Sequence, residues 1–153
     1  MDLHISHITD QDCGDVAEFL VSALPEGWRT TYLPERAQVQ RVVSSEASIA
    51  LMARRKGAVV GVAVGWCFPN VIGQGDVAML DELLVASDYR RQGIGTALVK
   101  AFKTAVRRKC TPPIAVWATT DYPQEPAASP FIQTGGEQGE LLRQFNWPEK
   151  VVQ

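Results

Sequence analysis

The sequence predicts a single domain of the α/β class over residues 1–153. Strand-like apolar runs alternate along the chain with segments whose apolar residues recur at helical spacing. Between residues 77 and 107, an apolar strand, a loop with two glycines and an amphipathic helix follow one another directly. A chain of 153 residues is also long enough to bury one core, roughly two-thirds of the surface that its unfolded form exposes.

Composition and charge narrow the class of protein. Hydrophobic residues make up 46% of the chain and charged residues 21%, and the formal net charge is −2 with an isoelectric point near 5.7. Because nucleic acids and anionic membranes bind clustered positive charge, we expect neither as a partner. No basic stretch followed by an apolar core opens the sequence, and no apolar run approaches the ~20 residues of a membrane span. We therefore expect a cytoplasmic protein.

The three cysteines, Cys13, Cys67 and Cys110, are far apart in the sequence. They form no C-x-x-C pair, and no histidine lies near them to complete a zinc set. This pattern predicts reduced thiols and no metal site.

The first elements are read from periodicity and turn residues. A short strand is predicted near residues 3–8, followed by a helix that begins after Asp10 or Asp12 and ends at Pro25. A second helix is predicted within residues 35–45.

The middle of the chain predicts a β-hairpin. Two apolar runs, Ile49–Ala53 and Ala58–Trp66, flank a charged turn that ends at Gly57. Residues 67–75 are predicted to be a loop.

The second half of the chain predicts a further strand, a helix and a strand. The strand is Val77–Val85, the helix is Gly95–Arg107, and a shorter strand, Ile114–Ala118, follows Pro112-Pro113. Beyond it, a helical turn that ends at Gly135-Gly136 and a closing strand over 141–147 are predicted.

The turn between the strand and the long helix carries the segment Arg90-Arg91-Gln92-Gly93-Ile94-Gly95-Thr96. A helix N-terminus exposes backbone N–H groups and partial positive charge, so it binds phosphate when side chains do not block it. The two glycines remove side chains and the arginines add positive charge. The segment predicts a site for a diphosphate-bearing cofactor, although a tight turn with solvated charges is the alternative. The segment is neither a P-loop nor a dinucleotide fingerprint, because its glycine and lysine pattern differs from both.

Residues 80–98 resemble the acetyl-CoA motif of the Gcn5-related N-acetyltransferases, the GNAT family. The shared pattern is R/Q-x-x-G-x-G/A after a strand that ends in valine. The resemblance implies a mixed, mostly antiparallel sheet of six to seven strands with helices on both faces, splayed between the fourth and fifth strands. It also implies acetyl-CoA as the cofactor.

The resemblance assigns cofactor-binding roles to ten residues. The backbone of the strand end would pair with the pantetheine arm, and the loop would hold the pyrophosphate. The backbone N–H of Leu84 or Val85 would stabilise the negative charge that develops on the thioester carbonyl oxygen during the reaction. The ten residues are Leu83, Leu84, Val85, Arg90, Arg91, Gln92, Gly93, Ile94, Gly95 and Thr96.

Two acidic residues, Asp81 and Glu82, interrupt the apolar strand and are candidate catalytic bases. Strict alternation would place them on opposite faces of the sheet. By the resemblance, one of them binds the substrate ammonium or accepts its proton, and we favour Glu82. The alternative is a solvated pair with no catalytic role.

The residue that would protonate the thiolate is not the usual one. Where the family pattern has a tyrosine, this chain has Phe131. Tyr122 is the substitute candidate, and the alternative is protonation by solvent. The substitution also leaves open a domain that binds acyl-CoA as a sensor or interaction module with weak or absent catalysis.

The acceptor is predicted to be a small-molecule primary amine. Residues 118–127 are similar to the equivalent segment of aminoglycoside 3-N-acetyltransferases, and protein or peptide acetylation is the alternative.

Acidic residues that would suit a polycationic sugar, or form ordinary surface charge, are Glu26, Glu35, Asp81, Glu82, Asp121 and Glu125. Aromatic residues that would line a pocket, or fill the core, are Trp28, Tyr32, Trp66 and Phe68. The resemblance implies a homodimer contact through Leu141, Phe145 and Trp147, and filling of the core is the alternative role for these residues.

Overall fold

A five-stranded sheet forms the centre of the protein in a computed structural model that describes residues 2–24, 34–118 and 130–137. The strands lie side by side in chain order: β1 Leu3–His7, β2 Ser48–Arg55, β3 Ala58–Pro69, β4 Asp76–Val85 and β5 Ile114–Ala118. The first three pairings are antiparallel, and β4 pairs with β5 in parallel. The predicted mixed, mostly antiparallel sheet is confirmed, and the described residues supply five of the six to seven strands predicted. The closing strand predicted over 141–147, and with it the dimer contact, lies outside the described residues.

In the described residues, three helices flank the sheet: α1 Cys13–Ala23, α2 Arg36–Val43 and α3 Ile94–Lys109. All three were predicted. A helical turn over 130–133 follows, also as predicted. No helix in the described parts of the chain is long and apolar enough to cross a membrane.

The turn before α1 explains how that helix begins. Residues Asp10–Asp12 form a 3₁₀ turn, and the Thr9 N–H donates a hydrogen bond of 2.9 Å to the Asp12 carboxylate. Hydrogen bonds from Thr9, with help from the Arg54 guanidinium, lower the pKa of Asp12. Arg54 of β2 also bridges Asp12 and Asp15 at 3.0 and 2.7 Å, which ties α1 to the sheet.

The core lies on both faces of the sheet, as the alternation of side chains requires. On one face, Ile49 and Leu51 of β2 pack with Leu98 and Phe102 of α3, and we call this the α3 face. On the other, which we call the α1–α2 face, the buried residues of β2 and β3 pack with both shorter helices. This cluster contains Cys13, Val16 and Phe19 of α1, Val39 of α2, Ala50 and Met52 of β2, and Val62 of β3. Helices on both faces are therefore confirmed.

Gly65 in the middle of β3 allows α3 to approach the sheet closely. A Cβ atom at this position would lie 2.6 Å from two ring atoms of Phe102 and closer still to the Met79 carbonyl oxygen. Real Cβ atoms do not tolerate such distances, so the bare backbone of Gly65 is a packing requirement.

Replacing Gly65 with alanine is expected to destabilise the fold by about 1–3 kcal/mol, because the added methyl group overpacks the contact with Phe102. Urea unfolding measures this loss. Gly14→Ala is the matched control, because Gly14 lies in α1 with open space around its Cβ position. The control should gain up to roughly 0.5–1 kcal/mol from helix propensity. Equal stabilities for both variants would contradict the packing at Gly65.

The end of β3 differs from the prediction. Residues 67–69 were predicted to be in a loop, but the strand continues to Pro69, which lies opposite Asp76. The hairpin turn is therefore confined to residues 70–75. Pairing with β4 overrides the unfavourable strand propensity of Pro69.

The prediction of reduced thiols at Cys67 and Cys110 is also wrong. The two residues form a disulfide across a sequence separation of 43, with their Cα atoms 6.2 Å apart. The two cysteines meet because of the path that the chain takes. Because α3 runs back along the sheet from the end of β4 towards its start, Cys110 at the end of α3 meets the far end of β3. Cys13 is free and buried.

Candidate active site

The loop over residues 90–96, which we call the glycine loop, joins the end of β4 to the start of α3. Gly93 caps the helix in the left-handed conformation with φ of 79°. The first helical hydrogen bond runs from the Ala97 N–H to the Gly93 carbonyl oxygen at 2.9 Å. The N–H groups of Ile94, Gly95 and Thr96 therefore have no acceptor within the helix. A Cβ atom at Gly93 would have no atom within 4 Å, so the space beside this helix start is open.

Side chains of the glycine loop hold its shape. Arg90 Nε donates to the Val85 carbonyl oxygen at 3.1 Å, and Gln92 Nε2 donates to the Asp88 carbonyl oxygen at 3.0 Å. Gln92 Oε1 also accepts a hydrogen bond from Arg55 Nη1. Arg91 is exposed and has a φ of 61°.

Arg55 is a residue of this site that the sequence analysis missed. Its guanidinium lies 5.6 Å from the centre of the Tyr89 ring, besides its hydrogen bond to Gln92. Arg55 therefore brings a further positive charge to the glycine loop. An arginine within the charged run Arg54-Arg55-Lys56 carries no signal for such a contact.

The end of the glycine loop packs against the helical turn over 130–133. A Cβ atom at Gly95 would lie 3.2 Å from the Pro130 side chain, and Thr96 Oγ1 lies 2.7 Å from Gln133 Oε1. Gly95 thus makes room for Pro130. The side chain of Ile94 is in the core, at 2% exposed, so Ile94 offers a ligand only its backbone.

One edge of β4 is open beside the glycine loop in the described part of the chain. The Ala86 N–H donates to the Val60 carbonyl oxygen at 2.9 Å. Since alternate residues of an antiparallel strand direct their backbone groups to the same neighbour, Leu84 also faces β3, while Leu83 and Val85 face the opposite edge. Among the described residues, pairing with β5 covers only residues 76–80 of that edge.

A β-bulge places the two candidate bases. Glu82 lies opposite Val64 and Leu80 lies opposite Gly65, so Asp81 is an extra residue in β4. The prediction that alternation puts Asp81 and Glu82 on opposite faces is therefore wrong. Glu82 shares the α1–α2 face with its cross-strand partner Val64, and both acidic residues are exposed.

Trp66 stands next to this acidic pair. Its indole N–H donates to Asp81 Oδ2 at 3.3 Å. Because the neighbouring Gly65 faces α3, Trp66 and Asp81 lie on the other face, with Glu82. Phe68, two residues along β3, shares this face and is 42% exposed. The bulge thus brings two carboxylates and an aromatic wall to one surface.

Phe131, at the position where the family pattern has a tyrosine, packs against the α3-face core and carries no acidic proton. Tyr122 lies outside the described residues. So do Glu26, Trp28, Tyr32, Asp121 and Glu125.

The mixed sheet, with a strand that leads through a glycine loop into an amphipathic helix, defines a domain of the acetyltransferase class. The sequence profile of the GNAT acetyltransferase family matches residues 14–133. The chain belongs to this family and is an acyltransferase.

Solved structures share the fold. An aminoglycoside acetyltransferase from an uncultured soil metagenomic sample, in complex with sisomicin, is 18% identical with a TM-score of 0.80, over 97% of each chain. A second aminoglycoside acetyltransferase from such a sample is 24% identical with a TM-score of 0.78, over 98% of this chain and 100% of the other. The ribosomal-protein-alanine N-acetyltransferase from Brucella melitensis biovar Abortus 2308 is 18% identical with a TM-score of 0.73, over 96% and 100%. No curated protein sequence matches the chain.

Proposed function

We propose that this acetyltransferase binds acetyl-CoA at the glycine loop and along the open edge of β4, and acetylates a primary amine of a small cationic molecule. The observation that carries the proposal is that the helix start and the open strand edge, the two surfaces that would bind the cofactor, lie next to each other. The start of α3, with a left-handed Gly93 and open space beside it, adjoins the outward backbone of Leu83 and Val85.

The residues present fit this cofactor. A diphosphate matches the N–H groups at the start of α3, with Arg91 nearby as a positive charge. An extended amide-bearing arm matches the outward backbone groups of Leu83, in the manner of an added strand. The outward Val85 carbonyl already accepts a hydrogen bond from Arg90. When bound, acetyl-CoA supplies an acetyl group activated as a thioester. The Leu84 N–H faces β3, so the Val85 N–H is the better oxyanion donor of the two.

The surface formed by Trp66, Asp81 and Glu82 suits a cationic amine. Two carboxylates attract an ammonium group, and an indole face offers stacking and cation–π contact to a ring-bearing cation. Substrate amines are protonated at neutral pH, so the site must remove a proton before the nitrogen can attack.

We assign different roles to the two carboxylates. The hydrogen bond from Trp66 orients Asp81, which suits it to hold the ammonium in place. Glu82 then acts as the general base, directly or through a water molecule. The reaction is a direct attack of the amine on the thioester in a ternary complex, so it needs no cysteine nucleophile.

Tyr122 is our candidate for the group that protonates the departing thiolate. Phe131 cannot serve, because a phenyl ring has no acidic proton and this one packs against the core. Solvent is the alternative donor.

We favour an aminoglycoside-like amine as the acceptor. The likeness of residues 118–127 to aminoglycoside acetyltransferases and the two soil structures support it, together with the paired carboxylates of β4. The Brucella structure supports protein N-terminal acetylation as a second candidate. A third candidate function is an acyl-CoA-binding module with little catalysis, and it is supported by Phe131 in place of the usual tyrosine.

Thiol release from acetyl-CoA across an amine panel tests the proposal. The panel should include aminoglycosides, polyamines and peptides with free N-terminal alanine. We expect the highest kcat/KM with a multiply charged sugar amine, and a fall in rate as salt screens the acidic surface. A preference for the peptides would move the assignment to protein acetylation. Binding of CoA without turnover on any amine would favour the non-catalytic module.

A further inference from the structure

Three potential metal ligands meet at the end of the sheet away from the glycine loop. They are Cys67 on β3, Asp76 at the start of β4 and Cys110 directly after α3. One ligand atom from each lies within 4.8 Å of the others. Cys67 Sγ is 3.6 Å from Asp76 Oδ2, and the two sulfur atoms are joined in the disulfide. We call these residues the Cys–Asp–Cys cluster.

Backbone contacts fix the cluster independently of the S–S bond. The Asp76 N–H donates to the Thr111 carbonyl oxygen at 2.9 Å, and the Thr111 N–H donates to Asp76 Oδ2 at 2.6 Å. The second bond orients the Asp76 carboxylate, as outer-shell hydrogen bonds do for metal-binding carboxylates. The Cys110 N–H also ends α3 with a bond of 2.8 Å to the Val106 carbonyl oxygen.

Gly75 allows the chain after α3 to close on the start of β4. Its φ is 79°, and a Cβ atom there would lie 2.6 Å from the Pro113 nitrogen. The absent side chain lets the segment 111–113 pack against β4, so the position of Cys110 relative to Asp76 is set by main-chain packing.

We infer that in the reduced protein the Cys–Asp–Cys cluster binds Zn²⁺ through the two thiolates and the Asp76 carboxylate. Thiolate sulfur and carboxylate oxygen are both zinc ligands, and three protein ligands leave a fourth position for water. Reduction of the disulfide by a dithiol adds two electrons and two protons to the sulfur atoms. Binding of the metal then releases the two thiol protons. The disulfide and the zinc-bound state therefore exclude each other.

This zinc would lie apart from the proposed amine site. Cys67 and Cys110 pack with the α3-face core, at the opposite face of the sheet from the carboxylate of Asp81. The metal would join the end of β3, the start of β4 and the segment that leads into β5. Nothing in this inference depends on acetyl-CoA or on the amine.

Zinc content after reduction tests the inference. Dithiol-reduced protein is incubated with Zn²⁺, passed through a desalting column and measured by mass spectrometry for metal and protein. We expect one zinc ion per chain in the wild type and in Cys13→Ser, whose buried cysteine lies in the other core cluster. We expect loss of that zinc in Cys67→Ser and in Cys110→Ser. Asp76→Asn should weaken zinc at least about tenfold against a competing chelator.

A spectroscopic measurement on the wild-type chain tests the inference even if the variants fail to fold. Co²⁺ added to reduced wild-type protein should give a thiolate-to-metal charge-transfer band, which oxidation to the disulfide abolishes. Reduced wild-type protein without zinc and without that band would overturn the inference. Full zinc occupancy in a folded Cys67→Ser variant would overturn it as well.

Discussion

Replacing Gly93 with aspartate is expected to weaken CoA binding by about 100-fold or more. The new carboxylate would project into the open space beside the start of α3, where the diphosphate is proposed to bind. Two unit charges at about 4 Å near a protein surface repel by roughly 4 kcal/mol, and each 1.4 kcal/mol is a factor of ten in affinity. Titration calorimetry with CoA measures the loss.

Two variants separate the charge from the backbone effect. Gly57→Asp adds the same side chain at another left-handed glycine, with φ of 84° and no atom within 4 Å of the Cβ position. It should share the conformational cost of roughly 1–2 kcal/mol in stability but keep CoA affinity. Gly93→Asn, of the same size without the charge, should fall between. If Gly93→Asp bound CoA as tightly as the wild type, the diphosphate site would lie elsewhere.

Replacing Glu82 with glutamine is expected to lower kcat by about 10²–10⁴-fold while leaving CoA affinity unchanged, because a general base contributes a factor of this size. Turnover should recover in part at high pH, where the free amine is already deprotonated. Steady-state rates of thiol release over a pH series provide the measurement.

Asp81→Asn gives the comparison that distinguishes the two carboxylates. If Asp81 only holds the ammonium, this variant should raise KM for the amine more than it lowers kcat. Glu18→Gln, at an exposed carboxylate of α1, is the control and should change neither parameter. A larger kcat loss in Asp81→Asn than in Glu82→Gln would reverse the two roles. Negligible effects of both variants would remove the acidic pair from the mechanism.

The elements with a local signal were predictable from the sequence. The helical spacing of α3 and the hairpin turn at Gly57 depend on neighbouring residues, and the structure has both. The predicted charged turn is shorter in the structure, because Arg54 and Arg55 belong to β2. The glycine loop was also predictable, because a left-handed cap at Gly93 is a conformation that only glycine adopts without cost.

The features that depend on pairing across the sheet were not predictable. The bulge at Asp81 arises from the register between β3 and β4, which no local pattern encodes. The same holds for the contact between Arg55 and Gln92 and for the meeting of Cys67 with Cys110. Gly95 was predicted to serve the pyrophosphate, and its contact with Pro130 required the position of a segment 35 residues further along.

In the proposed site, the start of α3 holds the diphosphate of CoA while the edge of β4 holds its arm. Calorimetry on the folded wild type with CoA and with pantetheine, which lacks the diphosphate, tests it most directly. We expect one CoA per chain and pantetheine binding at least about tenfold weaker, since a hydrogen bond to a charged group contributes about 1.5–3 kcal/mol. Folded protein that binds neither CoA nor acetyl-CoA, or that binds pantetheine equally well, would contradict the account.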